Sequence, residues 1–400
     1  MKTSAHQPLS HSGAPRRPQV GATARRGVIF VLSAFLLVLA FAFAAFAIDL
    51  GYITLSSGEL AKTSDAAALA AVIELGDGYG SAATMTQSQT EVAARTAARD
   101  VAAMNRAAGR NSVYLDQNRD VRLGQYQYDA ATATWTKSWG TTPYNLVEVT
   151  LHRDQPGSTN GDGPLGLFFA PIMGHTQANL TSQSTSALLP GKGIRVPPGS
   201  GQTADVLPIA LDIGSWNNLM NGIGQDNFTY NADGTISSGP DGIREVNLYP
   251  EGQVNLPPGN RGTVDFGSSN NSTADISRQI LHGLNAEDLA YFGGEISFDN
   301  GPLIINGDTG LSAGIKDELD AIRGQPRLIP IFTSVSGPGN NAMYTVVKLV
   351  GIRIMYSKLT GKPSSKVVIV QPAPFVHSSV IPGTGTPTVD SYFTPAGLVP

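Results

Sequence analysis

From Val28 to Ile48 the chain reads VIFVLSAFLLVLAFAFAAFAI, 21 residues without a charge, a glycine or a proline. At about 1.5 Å per residue, a helix of this length spans about 30 Å, the thickness of a bilayer's hydrocarbon core. A surface helix of a globular body needs a polar face, and this segment has none, so a transmembrane helix is predicted. Arg16, Arg17, Arg25 and Arg26 precede it and Asp49 follows. Positive charge is retained on the cytoplasmic side, which places the N-terminus inside and residues 50–400 outside. A cleaved signal peptide competes, because Ala45-Phe46-Ala47 fits a small-x-small cleavage pattern. The apolar run is longer than a usual signal core and continues past Ala47 without a turn-forming break, which favours an anchor.

The charge count fits that division. The formal net charge is -4, from 27 basic and 31 acidic side chains, yet residues 1–27 hold five bases and no acid. The rest of the chain is therefore acidic, which argues against a nucleic-acid-binding surface. The absence of cysteine excludes disulfides, thiolate metal sites and cysteine nucleophiles. A 41% hydrophobic fraction is enough to bury a sizeable core.

Beyond Asp49, the Ala-rich stretch Ala61–Leu75 favours helix, with Leu60, Leu69, Val72 and Ile73 as an apolar stripe. Ser56-Ser57-Gly58 is a candidate kink at the membrane exit. A second helix is expected over Thr84–Ala108, supported by the Glu91–Arg95 pair. Strand patterns follow at Val121–Tyr128, Leu146–Leu151 and Ala178–Leu188. Pro190–Gly201 reads as a linker or long loop. A second exported unit follows, with a polar Asn/Gly-rich portion, a helix at Ala313–Arg323, and strands at Arg327–Val335, Tyr344–Tyr356 and Lys366–Val370.

The expected fold class is α+β: a single N-terminal transmembrane helix continuing into an Ala-rich helical stalk, then β-rich exported domains. The segments are 1–27 basic and cytoplasmic, 28–48 transmembrane, 49–189 stalk and pilin-like α+β domain, 190–202 linker, 203–382 β-rich domain, and 383–400 flexible tail.

Arg25-Arg26-Gly27, the apolar span, Asp49-Leu50-Gly51-Tyr52 and Asp65-Ala66-Ala67-Ala68-Leu69-Ala70-Ala71 together form an ordered pattern. It resembles the TadE/TadG-like proteins of Flp (tight adherence) pilus assembly. In that family an arginine-glycine start leads through a membrane span to a D-x-G motif with an aromatic, then to a helix with a D-A-A-A-L-A-A run. Similarity extends through Asp120-Val121-Arg122-Leu123-Gly124-Gln125-Tyr126, Val147–Leu151, Leu167-Phe168-Phe169-Ala170 and Ser182–Leu189. Gly259-Asn260-Arg261-Gly262, followed by Val264-Asp265-Phe266, resembles a G-N-x-G motif of TadG-like C-terminal regions. Pilin-like subunits often carry a glutamate early in the span; here the fifth residue after Gly27 is Leu32. The resemblance therefore implies a membrane-retained accessory or minor subunit, not a processed major pilin. Small residues Ala42, Ala44, Ala45 and Ala47 permit close approach of another helix, so self-association or contact with other assembly proteins is a further expectation.

The sequence offers no catalytic constellation. His152, His175, His282 and His377 are isolated, and no H-E-x-x-H or G-x-S-x-G motif occurs. Asp116–Asp120 starts like a calcium loop, but Val121 and Gln127 stand where the loop needs Gly and Glu. Asp162, Asp226, Asp233 and Asp241 lie among Asn and Gly, where turn stabilisation is the simpler reading. Some TadG-like proteins carry a metal-adhesion domain opening D-x-S-x-S; Asp212-Ile213-Gly214-Ser215-Trp216 lacks both serines at the required places.

The expected protein is not an enzyme and takes no cofactor, metal, small-molecule substrate or nucleic acid. It is a membrane-anchored exported accessory of a Flp-type pilus in the bacterial inner membrane. An exported surface-binding or adhesion module on a membrane anchor is the alternative, with an exported hydrolase behind it.

Overall fold

The computed structural model describes residues 25–79, 85–249, 262–267, 272–307, 313–338, 341–362 and 365–400. Helix and strand take about 31% and 32% of the chain, so the class is α+β, a long apolar helix followed by a β-rich region. Helix α1 (Arg25–Leu75) is 51 residues long and runs without interruption through Ser56-Ser57-Gly58. Its first half is apolar on every side, and from Ile29 it is long and apolar enough to cross a membrane, with a mean hydropathy of 2.8. Its second half changes character. Ser56, Leu60, Thr63, Ser64, Ala67, Ala68, Ala71, Val72 and Leu75 are buried, a 3.6-residue stripe of mostly small side chains. Ile73, expected on that stripe, is 59% exposed; it lies a residue beyond Val72 and so turns off the buried face.

The chain divides into two compact units. One contains α1 up to Thr54 together with residues 166–178; the other contains residues 55–165 and 179–400.

In the larger unit, α2 (Gln87–Met104) starts at Thr86, whose side chain and that of Gln89 form a reciprocal capping box. Thr84, the expected start, lies outside the described residues. Ala94, Ala98 and Ala102 repeat every four residues and are fully buried. Strands β1 (Val121–Asp129), β2 (Thr134–Trp139) and β3 (Leu146–Arg153) follow, then the short β4 (Leu165–Gly166) and β5 (Gln177–Ala178), then β6 (Leu180–Ala187). β1, β2, β3 and β6 form an antiparallel sheet in which Val121 faces Val149, and Leu151 faces Ser182.

The remaining elements are β7 (Gly191–Arg195), β8 (Leu211–Asp212), α3 (Ile213–Met220), β9 (Phe228–Tyr230), β10 (Ile236–Ser238), β11 (Val246–Asn247), α4 (Thr273–His282), α5 (Ala286–Ala290), β12 (Glu295–Ser297), β13 (Leu303–Asn306), α6 (Lys316–Ala321), β14 (Pro326–Ser336), β15 (Met343–Lys358), β16 (Val367–Pro372), β17 (Val380–Pro382) and β18 (Gly397–Leu398). A second sheet runs in the order β11-β16-β15-β14-β8, with β13 also paired to β15. Its long strands are covered on both faces. Ile329 and Ile331 of β14 join a cluster with Trp216, Leu219, Ile280 and Leu319 from α3, α4 and α6. The alternate Leu328 and Phe332 join Phe266, Leu284 and Tyr344. Burial on both faces explains why β14 reads as an apolar run and not as an alternation. Each fully buried Leu, Ile or Phe contributes about 1.5–3 kcal/mol.

Two expectations change. The segment taken as a linker contains β7, which pairs with β12 and β17. The segment taken as a flexible tail is built in: β18 pairs with β6, and Tyr392 and Phe393 are 5% and 1% exposed. The Phe393 amide donates to the Phe375 carbonyl, and the Thr394 amide to that of Leu189. Gly and Pro had suggested loops at both places, but paired backbone and buried aromatics override that composition.

Candidate functional site

The motif residues flagged in the sequence occupy three stations along α1. Arg25, Arg26 and Gly27 open the helix. Asp49, Gly51 and Tyr52 form the second station. Asp65, Ala66, Ala67 and Ala68 form the third.

At the second station the Asp49 side chain, only 4% exposed, accepts three backbone hydrogen bonds. Oδ1 receives the amide of Phe168 at 2.8 Å, and Oδ2 receives those of Phe169 at 2.9 Å and Ala170 at 2.6 Å. These amides point out of the start of a single 3-10 turn, Ala170–Met173. A carboxylate is the natural partner for such a group of donors, because charge-assisted bonds are short and strong. Pro171 sits in the first positions of that turn, where a missing N–H costs nothing, and Gly174 closes it in the left-handed region at φ 87°. One helical turn on from Asp49, the Tyr52 ring meets Phe168 with centroids 5.0 Å apart. Gly51 is exposed, and an added Cβ there would meet nothing within 4 Å. No close packing in the described structure requires glycine at that position.

The third station is a seat for α1 on β6. Alternate residues of a strand share a face, and Ser182, Ser184 and Ser186 all present hydroxyls to the helix. Ser64 Oγ lies 2.9 Å from Ser182 Oγ and 2.8 Å from Ser184 Oγ. Ser184 Oγ donates to Asp65 Oδ1, and Ser186 Oγ donates to the Ala68 carbonyl. Ala67 and Ala68 are fully buried, so the alanine run lets helix and sheet approach closely enough for these bonds. Ala66 is half-buried at the margin. At the end of the helix, Tyr79 donates to the Tyr144 carbonyl and its ring meets Phe393 at 5.0 Å.

The residues weighed for chemistry are engaged in local structure. Asp116 accepts the amides of Asn118 and Arg119. Arg119 bridges Asp120 and Asp162, and Ser158 donates to Asp162. Burial alone pushes the Asp162 carboxyl up, but the bonds from Ser158 and Arg119 prevail and hold it below its ordinary value. Asp226 accepts the amides of Asp241 and Gly242, Asp241 those of Tyr230 and Ile243, and Asp233 that of Thr235. Asp212 caps α3 through the Ser215 amide, while the Trp216 indole donates to Asp390. Among the described residues, no group of three or more His, Asp or Glu is placed to hold a metal ion. Gly259, Asn260 and Arg261 of the G-N-x-G segment lie outside the described residues; Phe266 beside them is core.

Sequence reasoning named Asp49 and Asp65 but not their partners. The signal is present in the alternating serines of Thr181–Ala187 and in the Phe-Phe-Ala-Pro segment.

Residues 27–77 match a family of TadE/G-like Flp pilus-assembly proteins, and residues 70–185 match a second, Tad-like Flp pilus-assembly family. The resemblance read from the motifs is thereby shown over residues 27–185. No curated protein and no solved structure matches the chain.

Proposed function

We propose that this chain is an anchored accessory or minor-pilin-like subunit that assists assembly or anchoring of a Flp-type pilus. Its N-terminus is cytoplasmic, α1 crosses the bacterial inner membrane over residues 28–48, and residues 50–400 are exported. The observation that carries this reading is where the family-matched residues act. Asp49 holds a turn beside the apolar segment, and Ser64, Asp65, Ala67 and Ala68 seat the same helix on β6. These are structural duties, so the proposal assigns the protein no catalytic step. Partners are other pilus-assembly proteins or further copies of this chain, met through the apolar helix or the body.

Deleting the gene should abolish or sharply reduce pili in electron micrographs, and the full chain should restore them. Normal piliation in the deletion strain would overturn the proposal. Reporter fusions before Arg25 and after Arg110 test the orientation; an exported reporter at the first site refutes it. Residues 186–400 lie outside both family matches; the second reading has the β-rich region 203–382 bind a surface polymer. Surface substitutions there that remove adherence while pili persist would favour it.

A further inference from the structure

The turn held by Asp49 presents large apolar side chains outward. Ile172 is 87% exposed, Met173 80% and Phe168 64%. Between Gly166 and Ala178 there is no Asp, Glu, Lys or Arg. Exposed residues of this size beside one another are costly in water, whereas single exposed apolar residues are common.

The position of the turn says what covers it. It belongs to the same compact unit as the apolar half of α1. Phe169 and Ile172 line a groove together with Val38, Phe41, Ala45 and Ile48 of that helix. From Asp49 back to Val38 the helix rises about 16 Å. The groove therefore extends along the segment that the anchored reading places in hydrocarbon.

The backbone of the turn is also suited to a medium without water, where each unpaired amide is costly. The Leu167 amide donates to the Thr176 carbonyl, Ile172 to Phe169, Gly174 to Pro171 and His175 to Ala170. Pro171 has no amide hydrogen. Phe168, Phe169 and Ala170, which point out of the turn's start, are taken by the Asp49 carboxylate.

We propose that residues 167–173 form a second membrane-contacting element, with Phe168, Ile172 and Met173 seated among the acyl chains of the leaflet that holds Val38–Ile48. The inference rests on the anchored reading of α1 and adds a lipid-binding surface to it. Asp49 then acts as a positioning residue: it closes the open amides that would otherwise bar the turn from hydrocarbon.

The chain has no cysteine, so single labels are unambiguous. The full-length variants Ile172→Cys, Met173→Cys, Leu37→Cys and Thr132→Cys, each carrying the fluorophore NBD, would be reconstituted into phosphatidylethanolamine/phosphatidylglycerol vesicles. Lipids with a doxyl quencher near the headgroup or near the chain end are then compared. Labels at 172 and 173 are expected to lose most of their emission, chiefly to one quencher depth, while the label at 132 stays bright. Bright labels at 172 and 173 with a quenched label at 37 would overturn the inference and leave the anchor intact. An unquenched label at 37 would overturn the anchored reading and this inference with it. Emission at 172 that ignores doxyl lipid but shifts to the blue as the protein-to-lipid ratio rises would assign the surface to a second copy, which also overturns it.

Discussion

Replacing Asp49 by alanine removes the acceptor of three amides at once, and the consequence should be local. A hydrogen bond to a charged group contributes about 1.5–3 kcal/mol net. Three bonds sharing one carboxylate are not additive, and freed amides that reach water recover part of the loss. A cost of about 2–4 kcal/mol for opening the turn remains after both corrections. At about 1.4 kcal/mol per factor of ten, amide exchange between Leu167 and Thr176 should quicken by about thirty- to a thousandfold. Hydrogen–deuterium exchange with mass spectrometry, on the full chain in lipid nanodiscs, reads this directly. Peptides covering β1 and β3 should exchange as in the parent, because neither strand touches Asp49 through any of these bonds. Asp49→Asn keeps one carbonyl oxygen and should fall between parent and alanine variant. Exchange at 167–176 that matches the parent in Asp49→Ala would refute the claim that the carboxylate holds the turn.

Three further outcomes are expected. Ala68→Leu forces three carbons into the fully buried contact between α1 and β6 and should destabilise the body by about 1–3 kcal/mol in urea unfolding, whereas Ile73→Ala, at an exposed position, should change stability by less than about 0.5 kcal/mol. Phe393→Ala should cost about 3–5 kcal/mol, because its ring is 1% exposed and packs on Tyr79; a freely mobile tail would tolerate the change. The depressed carboxyls of Asp154 and Asp162 contribute stability that is present above the unfolded value, about 3.9, and lost as pH falls through their lower folded values. Urea midpoints should therefore drop on acidification below about pH 4, and less steeply in Asp162→Asn; an unchanged slope in that variant would count against the Ser158–Arg119–Asp162 cluster as its source.

Much of the fold was legible where a single physical signal dominated. Twenty-one apolar residues could form little else than a long exposed helix, and β1, β3, β14, β15 and β16 fall where branched and aromatic residues gather. The stripe on α1 was half legible. Leu60 and Val72 carry the large-apolar signal and are buried, but so does the exposed Ile73, whereas Ala67, Ala68 and Ala71 lack that signal and are buried because they are small. Composition misled at β7 and β18, since Gly and Pro mark flexible chain only when no partner strand is available, and pairing across long sequence separations is invisible locally. The same limit applies to the site. Asp49 stood out in the sequence, but its partners lie more than a hundred residues away.

The pairing of β18 with β6 bears on the order in which the molecule can assemble. Gly397 meets Ala187, and Val399 donates to Thr185, on the strand whose serines seat α1. That seat gains its outer neighbour from a segment more than half the chain further on. Contacts so distant in sequence form slowly, since the loop between them must close first. In a chain threaded from its N-terminal end, the anchor would therefore be in place while its platform still lacked an edge strand. Until residues near 397 arrive, β6 presents unpaired backbone that a strand from a neighbouring molecule could occupy.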